Sequence, residues 1–282
     1  DLIIRGSDPE TVKKSLYAVF KAHEAFTSYY GEKNGLPVRI LSDKLPEIME
    51  KTASSREEVI GIIDHYDEPF NLNTGIPVRP TLYMFADGSM SLHLAIHHIA
   101  FDGGSAKTFV TELIDGLKGS EVSPAEIDLS DLYDDSLNDK YEEGMAYYRG
   151  IFSDGVPVNE MPVRGNRPRV HPLSDREITF DYDNEQLKTI DNTARRFSVT
   201  EFELIFSAVS MVLGKYTSSE DVVLGIPTNM RPQDAENVIG MFVNTAPVRV
   251  KPKRDLPTGD YLQSVSSAVR SVTYGAHLPF ED

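Results

Sequence analysis

The chain has 282 residues, enough for about two domains and a sizeable core. Its 28 Lys and Arg against 44 Asp and Glu give a formal charge of −16, which argues against bulk phosphate neutralisation on nucleic acid and against a polybasic membrane anchor. Without cysteine it has no disulfide, thiol nucleophile, iron–sulfur cluster or cysteine-ligated zinc, and no apolar run approaches the roughly 18 residues of a membrane span.

The opening Asp1 to Arg5 is neither a basic leader nor an initiator Met, and reads as the start of a piece cut from something longer. Ser7 with Glu10 fits a capping box, and Val12, Leu16, Val19, Phe20 and His23 recur at helical spacing, predicting a helix to about Tyr30, punctuated by Gly31 and Gly35. Val38 to Leu41 is a strand candidate. Ser55 caps a second helix with Val59, Ile60, Ile63 and the 62–66 stretch on its apolar side. From Arg79 to His98 the alternating runs either side of Asp87-Gly88 predict a β-hairpin. In its second arm Leu92, Leu94 and Ile96 share one face, and Ser91, His93, Ala95 and His97 the other. Gly103-Gly104 leads into a helix from about Ser105 to Leu117.

Composition shifts at 118–172, acidic at 127–143 and rich in Pro and Arg at 162–172, as expected of a connector holding one helix near Tyr141–Phe152. Beyond it come a strand at 177–180, helices at 184–196 and 201–216, strands at 222–226 and 242–250, and a last helix from Tyr261 to Tyr274. Thr200 followed by Glu201 and Glu203 suits a helix N-terminus. Both halves run through helix, strand and helix in similar order, which suggests two related lobes.

One cluster carries chemistry: His97-His98-Ile99-Ala100-Phe101-Asp102-Gly103, where a strand ends and a helix begins. A histidine exchanges protons near neutral pH. An Asp can lock an imidazole, or pair with an Arg and hold a loop. Glycines before a helix N-terminus permit close backbone approach and present N–H groups to developing negative charge. Two plainer readings stand beside this one. Histidines after a strand also suit core positions with satisfied nitrogens. His93 and His97 on one strand face could hold a metal, with only Asp102 nearby as a third ligand.

His97-His98-x-x-x-Asp102-Gly103 resembles the active-site motif of condensation domains from nonribosomal peptide synthetases, within the superfamily of chloramphenicol acetyltransferase-like acyltransferases. Four further segments match those domains in order. Ala22-His23-Glu24-Ala25-Phe26 resembles the family's HExLR segment, and Gly225 to Arg231 its G-x-P-x-x-x-R strand and loop. Ile239 to Arg249 resembles GxFVNTxxxR, and His277 to Glu281 resembles HxxxPFE in its Pro-Phe-Glu end.

The resemblance implies an α/β fold of two lobes in a V, with the active site between them: a first lobe over 1–120, a connector over 121–172, and a second lobe over 173–282, the domain being incomplete at both ends. It implies amide formation between a donor acyl or peptidyl thioester and the amine of an acceptor aminoacyl thioester, both on carrier proteins in the cytoplasm. His98 would face the reacting atoms and Gly103 bring an N–H toward the oxyanion. His97 would pack or orient its neighbour, and Asp102 would be structural, with Arg231 its partner across the lobes. Ser105 and Asn244 are candidates for the substrate channel. Neither a metal nor a directly bound cofactor is called for, because the phosphopantetheine arm belongs to the carriers. The partners implied are donor and acceptor carriers and adjoining synthetase domains, with neither nucleic acid nor membrane. Thr27 stands where the family carries the Arg of HExLR, removing a cation that normally supports the active-site loop, and Ala146-Tyr147-Tyr148 stands where the linker has Tyr-Trp. Epimerization, transfer to a soluble acceptor and a degenerate carrier-docking role are the alternatives; a heterocyclization domain is disfavoured because its D-x-x-x-x-D motif is absent.

Overall fold

The structure is a computed structural model that describes residues 1–63, 68–124, 127–132, 137–162, 165 and 178–280. They form two compact units, one of residues 1–134 with 231–243, the other of 135–230 with 244–282.

In the first unit, β1 (Leu2–Ile4), β6 (Met90–Ile96), β5 (Val78–Met84) and β4 (Met49–Thr52) form one sheet in that order. β1 and β5 flank β6 antiparallel, and β4 lies parallel to β5. The hairpin expected around Asp87-Gly88 is β5–β6; Gly88 takes the positive φ of 79° that its turn needs. Against the sheet, α1 (Pro9–Ala22) and α3 (Gly103–Leu117) bury Val12, Leu16, Val19, Phe20, Phe109 and Leu113. The two helices cross so closely that a Cβ on Gly116 would come within 3.1 Å of Ser15 Cβ. α2 (Arg56–Ile63) buries Val59 and leaves Ile60 exposed; of the 62–66 stretch, 64–66 lie outside the described residues.

The start of the chain departs from expectation. Asp8, not Ser7, caps α1, its Oδ1 accepting from the Thr11 amide at 3.0 Å. The helix ends at Ala22. Ser28–Lys33 is β2, antiparallel to β3 (Leu36–Leu41), so Tyr30 lies on a strand. The turn between them is Asn34-Gly35, both at positive φ (56° and 81°). Asn-Gly between two extended runs is a hairpin signal that the helical spacing of 12–23 overshadowed.

Residues 231–243, expected in the second lobe, belong to the first unit. The physical reason is apolar: Ala235, Val238 and Ile239 are buried in the same core as Phe26, Phe109 and Leu129.

The second unit pairs β7 (Val222–Asn229) with β8 (Val243–Val250) and carries α4 (Leu137–Ile151), α5 (Asn184–Arg196), α6 (Glu201–Thr217) and α7 (Thr258–Ser271). Thr200 caps α6 with Glu203 in a full capping box. The core between α6, α7 and the strands holds Phe206, Val222, Ala246, Val248, Tyr261 and Val265. The strand expected at 177–180 is not found: 178–180 is irregular, with Ile178 and Phe180 exposed, and Glu177 lies outside the described residues.

Candidate functional site

β6 ends at Ile96, and the chain turns through a single 3-10 turn, His98–Ala100, before α3 begins. His97 shapes that turn. Its amide donates to Pro77 O at 2.9 Å, and its Nδ1 accepts from the Ile99 amide at 3.1 Å. That contact requires a lone pair on Nδ1, so the ring proton of neutral His97 sits on Nε2. The ring edge meets Phe70, centroids 6.1 Å apart. The Ile99 carbonyl accepts from Tyr30 Oη at 3.2 Å. His98, at the head of the turn, is exposed.

Asp102 is the N-cap of α3, and its side chain is 1% exposed. Its Oδ1 accepts from the Ser105 amide, the Ser105 hydroxyl and Arg231 Nη2, each at 2.8 Å, and its Oδ2 accepts from the Phe242 amide at 2.9 Å. Burial by itself would raise the carboxyl's pKa. The amides of Phe242 and Ser105, the Ser105 hydroxyl and the Arg231 charge together outweigh it and hold Asp102 below the ordinary carboxylate value. Arg231 also donates through Nη1 to Val238 O, and its guanidinium lies 4.1 Å from the Phe242 ring centroid. The carboxylate thus takes four hydrogen bonds, none of them from His97 or His98.

Two expectations need correction, and the place of a third residue is defined. Arg231 does pair with Asp102, but within one unit and not across two lobes, because its segment is part of the first core. Ser105 cannot line a channel: it is fully buried, its hydroxyl lying 2.8 Å from both Asp102 Oδ1 and Gly240 O and accepting from the Gly240 amide at 3.0 Å. Asn244, in the second unit, spends its amide on structure, Nδ2 donating to Ala276 O and Leu278 O at 2.7 Å each. It thereby ties the GxFVNT segment to the start of the HxxxPFE segment, whose Glu281 lies outside the described residues.

Gly103 and Gly104 differ in kind. A Cβ on Gly103 would meet no atom within 4 Å, whereas one on Gly104 would meet Arg231 Nη2 at 3.2 Å. Gly103 opens α3, and first-turn amides of a helix have no intrahelical acceptor. The HExLR-like segment does not contact the turn through a cation. Its His23 is buried with Nε2 2.7 Å from Glu112 Oε2, and Glu24 pairs with Arg39 at 2.8 Å. Among the described residues no three His, Asp or Glu gather as a metal cluster would require.

Sequence reasoning missed Tyr30, Phe70, Gly240 and Phe242 as neighbours of this loop. Only the Asn34-Gly35 hairpin signal could have put Tyr30 on a strand, and nothing local marks the others.

The whole-chain comparisons agree with one another. The family model for the condensation domain matches residues 3–282. Bacitracin synthase 3 of Bacillus licheniformis is 27% identical over 281 residues, covering 98% of this chain and 4% of its own length. Gramicidin S synthase 2 of Aneurinibacillus migulanus is 24% identical over 290 residues, covering 100% of this chain and 6% of its own. The chain therefore spans a small fraction of these curated relatives. Among solved structures, the X-domain from teicoplanin biosynthesis superposes with a TM-score of 0.84 at 19% identity, over 99% of this chain and 66% of that one. The first condensation domain of the calcium-dependent antibiotic synthetase, in complex with a substrate analogue, gives 0.78 at 20%, over 100% of this chain and 70% of that one. The fold is thus the mixed α/β chloramphenicol acetyltransferase-like fold, and the chain belongs to the condensation domain family.

Proposed function

We propose that this domain forms an amide bond between a donor acyl or peptidyl thioester and the α-amine of an acceptor aminoacyl thioester, each carried by a phosphopantetheine arm on its own carrier protein. The observation that supports it most is the exposed His98 at the head of a turn fixed on both sides, beside the open N-terminus of α3. A free α-amine has a pKa near 8, so about a tenth of it is neutral at pH 7 and full deprotonation costs only about 1.4 kcal/mol. His98 therefore acts chiefly by orienting the amine and taking its proton as the C–N bond forms. The thiol of the donor arm leaves when the tetrahedral intermediate collapses. The Gly103 amide, with empty space where a Cβ would stand, is the candidate donor to the oxyanion. Asp102, His97 and Arg231 hold the loop and do not touch substrate. The domain needs no resident cofactor, since the arms arrive with the carriers.

Adjoining synthetase domains and a cytoplasmic setting belong to the same reading. Among the described residues no single helix is long and apolar enough to cross a membrane. The decisive experiment is a single-turnover assay in the full-length synthetase, with both carriers loaded and products resolved by intact mass spectrometry. Transfer of the donor mass to the acceptor carrier, lost in His98→Ala, is expected. Loaded carriers that stay unchanged with the wild-type protein would overturn the reading in favour of recruitment. Inversion of an α-centre without mass transfer would favour epimerization.

A further inference from the structure

The turn that carries His98 accepts a hydrogen bond from one distant hydroxyl. We infer that Tyr30 is a positioning residue for His98, acting through the Ile99 peptide groups; this rests on the amide-forming function proposed above. Thr27, just before β2, keeps its hydroxyl on Glu24 O in its own turn at 3.3 Å. The hydroxyl that reaches the Ile99 peptide comes from the β2–β3 hairpin that follows.

Ile99, immediately after His98, is held at both of its backbone groups. Its N–H donates to His97 Nδ1 at 3.1 Å, and its C=O accepts from Tyr30 Oη at 3.2 Å, across 69 residues of sequence. A single 3-10 turn has few internal bonds; here Ala100 N donates to His97 O at 3.1 Å and Phe101 N to His98 O at 3.3 Å. The rotation of the 98–99 and 99–100 peptides is then set by the two side chains. The direction in which His98 leaves the backbone follows from those peptides.

Both residues are braced by one segment, 70–77. The Tyr30 amide donates to Leu72 O at 2.8 Å, the His97 amide donates to Pro77 O at 2.9 Å, and the Phe70 ring packs edge-on to His97. Phe70 is itself fixed by Arg79, whose guanidinium sits 4.1 Å from the ring centroid and donates to the Glu68 and Pro69 carbonyls at 2.9 and 2.7 Å. Tyr30, Ile99, His97 and Phe70 thus make a closed frame around the turn. Removing the Tyr30 hydroxyl opens it at one point while leaving the ring in place.

The test is Tyr30→Phe in the full-length synthetase, measured beside wild type and His98→Ala. The expected result is a tenfold or larger fall in the single-turnover rate with saturating carriers. The acceptor-carrier concentration giving half-maximal rate should change less than twofold, and the melting temperature should stay within a few degrees of wild type. Hydrogen exchange at the Ala100 and Phe101 amides should accelerate. A merely structural tyrosine would lower stability and leave the rate of the folded fraction intact. A Tyr30→Phe rate within twofold of an active wild type overturns the inference and leaves the function standing. A wild type that transfers no acyl group overturns the function itself, while faster exchange in Tyr30→Phe would still report the strut.

Discussion

A methyl group on Gly104 would stand 3.2 Å from Arg231 Nη2 and 3.3 Å from Arg231 Nε, so this glycine sets how closely the guanidinium approaches Asp102. The next residue back has the opposite environment, since Gly103 faces open space. Gly104→Ala must push a guanidinium held by both Asp102 and the Val238 carbonyl, and should lose about 1–3 kcal/mol of stability. Gly103→Ala should fold within about 0.5 kcal/mol of wild type and yet lose turnover, because its methyl enters the space proposed for the reacting carbonyl. Chemical denaturation and single-turnover assays of the two variants separate the roles.

The Asp102–Arg231 pair is buried, with side chains 1% and 6% exposed. Breaking either side leaves an uncompensated charge, at a cost of about 3–5 kcal/mol. Asp102→Ala and Arg231→Ala should each destabilise by that order, and the double variant by clearly less than the sum. Strict additivity in the denaturation cycle would show that the amides of Ser105 and Phe242, and not the guanidinium, carry the carboxylate.

Acid should act through the same group. The folded-state pKa of Asp102 lies below its ordinary value of 3.8, so the unfolded chain takes up the proton first. Its contribution is fully present above that value and is lost as pH falls through it toward the folded pKa. Stability measured from pH 5 down to pH 2 should therefore drop more steeply in wild type than in Asp102→Asn. Parallel curves would assign the acid sensitivity to other carboxylates.

His97 and His98 should separate cleanly. His98→Ala is expected to keep the melting temperature and abolish most product. His97→Ala removes the acceptor for the Ile99 amide and the contact with Phe70, and should cost about 0.5–2 kcal/mol, as loss of an N-cap does. His97→Asn supplies another capping acceptor and should recover most of that stability. If His97→Ala keeps full stability and loses only activity, His97 takes a direct part in the chemistry.

The sequence by itself determined what is local in this protein. Asp87-Gly88 between alternating runs marked the β5–β6 hairpin, Thr200 with Glu203 marked the start of α6, and the His97–Gly103 motif with its companions marked the family, because turns, caps and active-site motifs are encoded within a few residues. Even local signals fail where two compete: the apolar spacing of α1 runs on toward Tyr30, which lies in the first strand of the Asn34-Gly35 hairpin. β4 was invisible because all four of its residues are exposed and show no alternation. Only tertiary structure decided that 231–243 packs into the first unit, that Ser105 points inward to Gly240 across 135 residues, and that Asp102 takes bonds from Arg231 and Phe242 across 129 and 140. Those partners share no pattern along the chain. They meet because burying Ala235, Val238 and Ile239 in the first core carries Arg231, Gly240 and Phe242 to the N-terminus of α3, where a buried carboxylate must find donors or not be buried at all.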